Sequence, residues 1–309
     1  MSKNKFLIVI GGATATGKTA MGIDLAQEFD TEILSCDSRQ FYKEMTIGTA
    51  KPTPEELAAA PHHFINHLSI KEDYTVGDFE REALELLDKI FLKKDVALLV
   101  GGSGLFIRAL CEGLDKYPEV PDEIKKEVQH IYQTQGIEAL QAALEVADPH
   151  YFQKVDLKNH VRLIRALNVI KTSGRPFSSF HNQNKKARNF TPIYINLTMD
   201  RPLLYDRINQ RVDLMMQAGL LEEARQLFPH KEKNALQTVG YQELMEFFEK
   251  KITLEEAVDL IKRNSRRYAK RQMTWFRKEK HWKTFDVRSA SLSFAVAHFV
   301  RLRMDGRSR

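Results

Sequence analysis

The sequence predicts an α/β fold, a P-loop-containing parallel-sheet core with a helical insertion domain, and three features carry that prediction. Short β-rich runs, apolar throughout, alternate with longer helical patterns, as a sheet buried on both faces by crossover helices requires. One of the turns joining a run to a helix has the glycine spacing of a phosphate-binding loop. After Pro118 and Pro121 the alternation stops, and the pattern is helical as far as Gly174. The chain therefore divides into 1–117 as the first part of the core, 118–190 as the helical insertion, and 191–309 as the rest of the core with its C-terminal helices.

The elements follow in order. Phe6–Ile10 is the first strand and opens directly onto Gly11-Gly12; Thr19–Phe29 has helical spacing. Glu32–Ser35 and Val96–Val100 read as further buried strands, with a helix over Val76–Leu92 between them. Within the insertion, Ile124, Val128 and Ile131, then Leu163, Leu167 and Ile170, recur at helical intervals. The stretch 180–190 is polar and basic, an exposed loop leading to a strand at Ile193–Thr198. Beyond Met199 the chain is mostly helical, with a last short strand at Thr284–Val287.

Composition narrows the class. The chain has 309 residues, 43% apolar and 28% charged, enough for one large core or two ordinary ones and unlike a disordered, collagenous or disulfide-framed protein. No apolar run approaches the ~18 residues that cross a bilayer, so no membrane partner is expected. The first apolar run is too short for the core of a signal peptide. The two cysteines, Cys36 and Cys111, stand alone, matching neither a metal site nor a disulfide framework. These traits fit a cytoplasmic protein in a reducing compartment.

The strongest single motif is Gly12-Ala13-Thr14-Ala15-Thr16-Gly17-Lys18-Thr19. Its glycines let consecutive backbone N–H groups wrap around one anion, and the helix that follows adds its positive dipole end. Lys18 supplies a point charge to the phosphate, and the Thr19 hydroxyl can hold Mg²⁺. The motif alone leaves open whether the phosphates are those of ATP. A nucleotide hydrolase usually carries an acid at the end of another strand to hold the metal. Val96–Val100 instead runs into Gly101-Gly102-Ser103-Gly104, which counts against an ordinary ATPase.

Asp37 follows the second strand, and in open α/β sheets ligands gather at the carboxyl ends of strands. It can serve as metal ligand, general base or helix N-cap, and spacing does not choose among them. Ser103 offers an uncharged hydroxyl or simply a tight turn. His62, His63 and His67 lack the glutamate of a zinc-protease helix and read as ordinary hydrogen-bonding histidines.

A helical pattern begins at the capping pair Thr253 and Glu256 and continues to about Lys278. Leu254, Ala257, Val258, Ile261, Tyr268, Trp275 and Phe276 fall on one arc; Lys262, Arg263, Arg266, Arg267, Lys270 and Arg271 sweep the other side. No acid interrupts the run from Lys262 to Lys278, whereas a merely solvated helix normally alternates sign. The net charge is only +6, yet 262–283 holds ten Lys or Arg against one acid. The rest of the chain is mildly acidic, and the basic element suits a phosphate-rich polymer, RNA in particular.

Taken together, these residues resemble the tRNA dimethylallyltransferases, a family of tRNA prenyltransferases, over nearly the whole chain from Ile8 to Arg277. The phosphate loop matches, with Ala13 where the family usually has proline. Ser35-Cys36-Asp37-Ser38-Arg39-Gln40-Phe41-Tyr42 and Met45-Thr46-Ile47-Gly48-Thr49-Ala50-Lys51-Pro52 look like the next two motifs. Pro61-His62-His63 and Tyr74-Thr75-Val76-Gly77-Asp78-Phe79 follow the same pattern. Gly101–Phe106 resembles a motif that usually has Thr and Tyr where Ser103 and Phe106 stand, so the hydroxyl survives and the phenol does not. Further matches are Asn159, Arg162, Arg165-Ala166-Leu167, Gly174-Arg175-Pro176, Arg207, Arg211, Met215, Gly219, Val239-Gly240-Tyr241, and 266–277 with its Arg-Arg-Tyr-Ala-Lys-Arg-Gln run.

The resemblance implies transfer of a dimethylallyl group from dimethylallyl diphosphate to the exocyclic N6 of the adenosine 3′ to the anticodon, in a Mg²⁺-dependent reaction. Gly12, Ala13, Thr14, Ala15, Thr16, Gly17, Lys18 and Thr19 would hold the diphosphate, with Thr19 on the metal. Asp37 would take the amine proton, Ser103 would stand near the reacting centre, and Arg211 or Arg207 would neutralise the leaving group. The tRNA anticodon stem-loop would meet Asp37, Ser38, Arg39 and Gln40; Val161, Arg162, Leu163, Ile164 and Arg165; and Gln237, Thr238, Val239, Gly240, Tyr241 and Gln242. Arg266, Arg267, Lys270 and Arg271 of the basic helix would add phosphate contacts. A monomer is expected. Three rivals remain: a small-molecule kinase sharing the loop, a prenyltransferase acting on free adenylate, and a non-catalytic RNA-binding protein.

Overall fold

The computed structural model describes residues 4–181 and 187–306, which form two compact units. One takes the described residues up to Cys111 and from Arg188 onward; the other takes those between Glu112 and Ala187.

The first unit is built on a six-stranded sheet of β1 (Phe6–Gly12), β2 (Ile33–Ser35), β3 (His62–His63), β4 (Val96–Val100), β5 (Thr191–Thr198) and β6 (Lys283–Asp286). The strand order is β3-β2-β4-β1-β5-β6, and every pairing is parallel. In the centre, Ile8 lies opposite Leu98 on one side and Ile193 on the other. Alternate residues of β1 bury into opposite layers. Leu7 and Val9 join Phe41, Phe79 and Leu87 on one face, while Ile8 and Ile10 meet Met21, Leu25, Val296 and Val300 on the other. Both faces being dry, the strand needs apolar residues at every position, hence its unbroken apolar run.

Helices α1 (Lys18–Glu28), α2 (Pro54–Ala59), α3 (Val76–Phe91) and α4 (Gly104–Glu112) precede the insertion. Thr53 and Thr75 begin α2 and α3 with reciprocal capping boxes, to Glu56 and Asp78. Sequence spacing does not anticipate β3: His62 and His63 pair with Ile33 and Leu34 as a two-residue edge strand, too short and too polar for periodicity to reveal.

The second unit is helical, with α5 (Asp122–Ala147), α6 (Pro149–Phe152) and α7 (His160–Ser173). Gly136, at φ 79°, breaks α5 into two helical stretches. Its core gathers Val128, Leu140, Leu144, Leu163 and Leu167. Asp148, almost wholly buried, caps α6 through the Tyr151 amide and holds the Ser178 amide and hydroxyl. The polar stretch 180–190, read as an exposed loop, lies outside the described residues at 182–186; of the rest, Phe190 is buried in the core and the Arg188 side chain is buried in an ion pair with Glu80, so the reading is corrected there.

After β5 come α8 (Arg201–Gln217), α9 (Leu220–Leu227), α10 (Tyr241–Phe248), α11 (Leu254–Lys278) and, beyond β6, α12 (Leu292–Met304). Helix α11 starts on Thr253 with the capping box to Glu256 that the sequence foretold. Among the described residues, no helix is long and apolar enough to cross a membrane.

Candidate functional site

The phosphate loop follows the central strand. Gly17 takes a left-handed conformation, φ 80°, that swings the chain into α1, which has no side-chain cap. The Thr16 hydroxyl and Lys18 Nζ both donate to the Ala13 carbonyl, at 2.8 and 2.7 Å. Burial lowers the Lys18 pKa to about 8, the neighbouring Arg211 pushing the same way and Asp37 opposing. A cleft of about 140 Å³ joins Thr14, Lys18, Thr19, Asp37 and Arg211 to an apolar wall of Ile33, Ala50, Pro52, Ile65 and Val100. Cations, hydroxyls and hydrocarbon lining one cleft suit an amphiphilic phosphate ester.

Of the two arginines left open by the sequence, Arg211 lines this cleft and donates from Nη1 to Thr14 Oγ1 at 3.3 Å. Desolvation lowers its pKa, against the pull of Asp37. Arg207, one turn earlier on α8, is exposed and lines neither this cleft nor the larger one beside it.

Asp37 is not a helix cap, because turns rather than a helix follow it. Its Oδ1 accepts the Arg39 amide at 3.1 Å, closing an Asx turn that aims the carboxylate. The side chain of Arg39 donates to the carbonyls of Asn234 and Ala235 at 2.9 and 3.1 Å. Gln40 donates to the carbonyls of Thr49 and Ala50. The Asp37–Gln40 turn is thus tied to both neighbouring segments.

The larger cleft, about 450 Å³, shares Thr14, Asp37 and Arg211 with the first and adds Ser38, Arg39, Gly48, Gln237–Gly240, Gln242, Tyr268 and Arg271. Its walls meet at Glu223 of α9. Oε2 of that carboxylate accepts the amides of Thr46 and Ile47 at 2.9 and 2.8 Å, and Oε1 accepts the Gly48 amide at 3.0 Å. Oε1 also receives the hydroxyl of Tyr241. Tyr241 is fully buried, so its expected place among RNA contacts is corrected: it anchors the segment from beneath.

Helix α11 departs from the predicted division into faces. Ala257, Ile261 and Phe276 are buried as expected, but Tyr268 stands in the cleft. Its phenol lies beside the Ser103 side chain; desolvation, aided by Asp37, raises its pKa to about 12. Lys262 pairs with Asp213 at 2.6 Å, and Arg266 donates to Asn209 Oδ1 at 2.6 Å, so both lean on α8. Arg263, Arg267, Lys270 and Arg271 remain exposed. Gln272 is buried: Oε1 accepts the Thr14 amide at 2.8 Å, and Nε2 donates to the Gly102 carbonyl at 3.0 Å. The sequence reading missed Glu223, Tyr268 and Gln272. Gln272 carried a usable signal, since it lies four residues before Phe276 on the apolar stripe, where a polar side chain must find partners.

The run Val161–Arg165 starts α7 of the second unit. Val161, Arg162 and Arg165 are exposed, but Leu163 is fully buried in that unit's core, which corrects its inclusion among RNA-contacting side chains. His62 Nδ1 meets the Ala60 carbonyl and His63 Nε2 meets Glu32 at 2.7 Å, but the reading of His67 as a hydrogen-bonding histidine is corrected: both its ring nitrogens are buried without a hydrogen-bond partner, and the ring packs against Phe41, Phe64 and Tyr74. Phe106 packs on Phe41 and Phe79.

The family model described as IPP transferase matches residues 40–279. A tRNA dimethylallyltransferase of Christiangramia forsetii is 54% identical over 291 residues, 94% of this chain and 96% of its own. The Flavobacterium johnsoniae protein of the same name is 52% identical, with 91% and 93% covered. Among solved structures, the full-length tRNA isopentenylpyrophosphate transferase of Bacillus halodurans superposes with a TM-score of 0.74 at 35% identity, covering 99% of this chain and 98% of that one. A eukaryotic dimethylallyltransferase acting on tRNA gives a TM-score of 0.81 at 24% identity, covering 99% and 81%, a likeness of fold.

Proposed function

This chain belongs to the IPP transferase family, and on that premise we propose that it transfers a dimethylallyl group from dimethylallyl diphosphate to N6 of the adenosine 3′ to the anticodon in tRNA. The observation that carries the detail is the convergence of Asp37, Arg211 and Thr14 where a cation-lined, half-apolar cleft opens into a larger one. The first fits the donor and the second a base turned out of an RNA loop.

The diphosphate lies on the amides of Gly12–Thr19, with Lys18 and Arg211 meeting its charge, and the prenyl chain lies along Ile33, Ile65 and Val100. As the C1–O bond breaks, the leaving diphosphate gains charge, which these preorganised donors stabilise. N6 of adenine attacks C1; a C–N bond forms, and the N6 proton passes to Asp37. Tyr268 and Ser103 place a hydroxyl pair beside that carboxylate. Arg211, rather than the exposed Arg207, is the leaving-group arginine.

The residues fit a magnesium ion. Thr19 brings a hydroxyl oxygen to the cleft, and no group of three His, Cys, Asp or Glu suited to a metal exists among the described residues. Diphosphate oxygens and water would complete the shell, as Mg²⁺ prefers. When bound, the ion neutralises charge on the departing diphosphate. RNA meets Ser38, Arg39, Gln237, Gln242 and the exposed cations of α11, with Val161, Arg162 and Arg165 as further contacts. The reading is of a monomer, working in the cytoplasm with its tRNA.

The test incubates the protein with dimethylallyl diphosphate, Mg²⁺ and either an anticodon stem-loop or AMP. Prenylated stem-loop is the expected product. Transfer to AMP alone would overturn the RNA acceptor, and ATP hydrolysis without prenyl transfer would overturn the donor as well.

A further inference from the structure

We propose that Gln272 is a positioning residue through which RNA bound along α11 alters the affinity of the phosphate loop for diphosphate. The inference rests on the function proposed above and adds to it a link between the two substrates. Gln272 is 7% exposed, and its amide is fully used: the carbonyl oxygen holds the Thr14 N–H and the amino group holds the Gly102 carbonyl. Thr14 belongs to the phosphate loop, lines both clefts and receives Arg211. Gly102 precedes Ser103, whose side chain neighbours the phenol of Tyr268. One planar amide therefore sets the spacing between the loop that grips the donor and the turn that carries Ser103.

The same helix carries the acceptor wall. Tyr268 and Arg271 line the larger cleft, and Gln272 follows at once on a continuous α-helix. A helix transmits a shift at 268–271 to 272 with little loss, because each backbone unit is hydrogen-bonded to the next turn. The chemistry of the bridge is specific. Glutamate would set a second acceptor against the Gly102 carbonyl, and methionine would fill the space and bond neither partner. The turn is shaped for the amide as well: a Cβ on Gly102 would come within 2.2 Å of Gln272 Nε2.

Two substrates coupled in this way must influence each other by the same factor. The experiment measures the dissociation constant of inorganic pyrophosphate with Mg²⁺, with and without an anticodon stem-loop, and that of the stem-loop with and without pyrophosphate. In the unsubstituted chain each should change the other by the same factor, about fivefold or more. Gln272→Met should bring that factor close to one. Gly102→Ala, which displaces the amide from the opposite side and leaves α11 intact, should do the same and decides the matter if Gln272→Met does not fold. A factor of one in the unsubstituted chain, or an undiminished factor in the folded variants, would overturn the inference. If the unsubstituted chain binds no stem-loop at all, the RNA reading falls and this inference with it. If it binds both ligands independently, the inference alone falls.

Discussion

The hydroxyl of Tyr241 donates to Glu223 Oε1 at 2.6 Å, and the same carboxylate collects the amides of Thr46, Ile47 and Gly48. One side chain thereby fastens the 46–48 turn to the start of α10, two segments bordering the larger cleft. Tyr241→Phe removes one of these bonds and should cost about 1 kcal/mol. Glu223→Ala strands four donors and should cost more, about 2–3 kcal/mol, because the half-buried site lets water satisfy some of them. Urea unfolding midpoints measure both. Steady-state kinetics on Glu223→Ala should show a higher KM for RNA, and an unchanged KM would refute the fastening role.

Asp37→Asn keeps the Asx turn, since an amide oxygen still accepts the Arg39 N–H, but it cannot take a proton. Single-turnover rates should fall by about 10²–10⁴, the usual worth of a positioned base. Stem-loop affinity, measured by filter binding, should hold within a few-fold. A rate near that of the unsubstituted enzyme would reduce Asp37 to a turn-former.

Lys18 titrates near pH 8 in the free protein, because burial opposes its charge. Below that pH the lysine is protonated and ready for diphosphate; above it the proton must be taken up on binding. Pyrophosphate affinity should therefore be level below pH 8 and fall by up to tenfold per pH unit above it. The sign for folding is opposite. An unfolded lysine holds its proton to about pH 10.4, so between pH 8 and that value the unfolded state binds more protons and this group's contribution to stability rises with pH. Isothermal titration at several pH values checks the first trend, and a pyrophosphate affinity that does not weaken above pH 8 would contradict it.

The exposed cations of α11 should act through phosphate. Replacing Arg267, Lys270 and Arg271 by alanine should weaken stem-loop binding and reduce the slope of log K against log salt by about 0.7–0.9 per lost contact. Lys262→Ala should leave that slope almost unchanged, because its ammonium is engaged with Asp213. Equal effects from both replacements would mean that the helix acts only through its net charge.

The buried strands and the capped start of α11 were legible because each rests on a local rule. β4 spans Val96–Val100 as read, since five apolar residues between polar flanks admit little else. The Thr253–Glu256 box marks the start of α11 by the same kind of local bond. The phosphate loop, Asp37 and the Gly-Gly-Ser turn were legible as strand-end segments. What escaped depends on partners far along the chain. Glu223 sits beside Glu222 in a helix's first turn, where two acids look like ordinary dipole complements. Its real partners lie some 175 residues earlier. Tyr268 falls on the apolar arc of its helix, yet the layer it would pack into is replaced by the cleft. Periodicity registers which way a side chain points and not what waits there.

The bridge from Thr14 to Gln272 spans 258 positions. During synthesis the first strands and the glycine turn leave the ribosome long before their glutamine does, and domains fold from the N-terminal end as they emerge. Until then the nascent loop has its glycines and lysine but an open amide and an unfilled notch at Gly102. Closing so long a loop is slow, since the entropy of bringing distant segments together comes before any contact rewards it. The competent donor site is therefore among the last parts of the molecule to be completed, and an enzyme truncated before α11 would carry the full phosphate motif without its finished form.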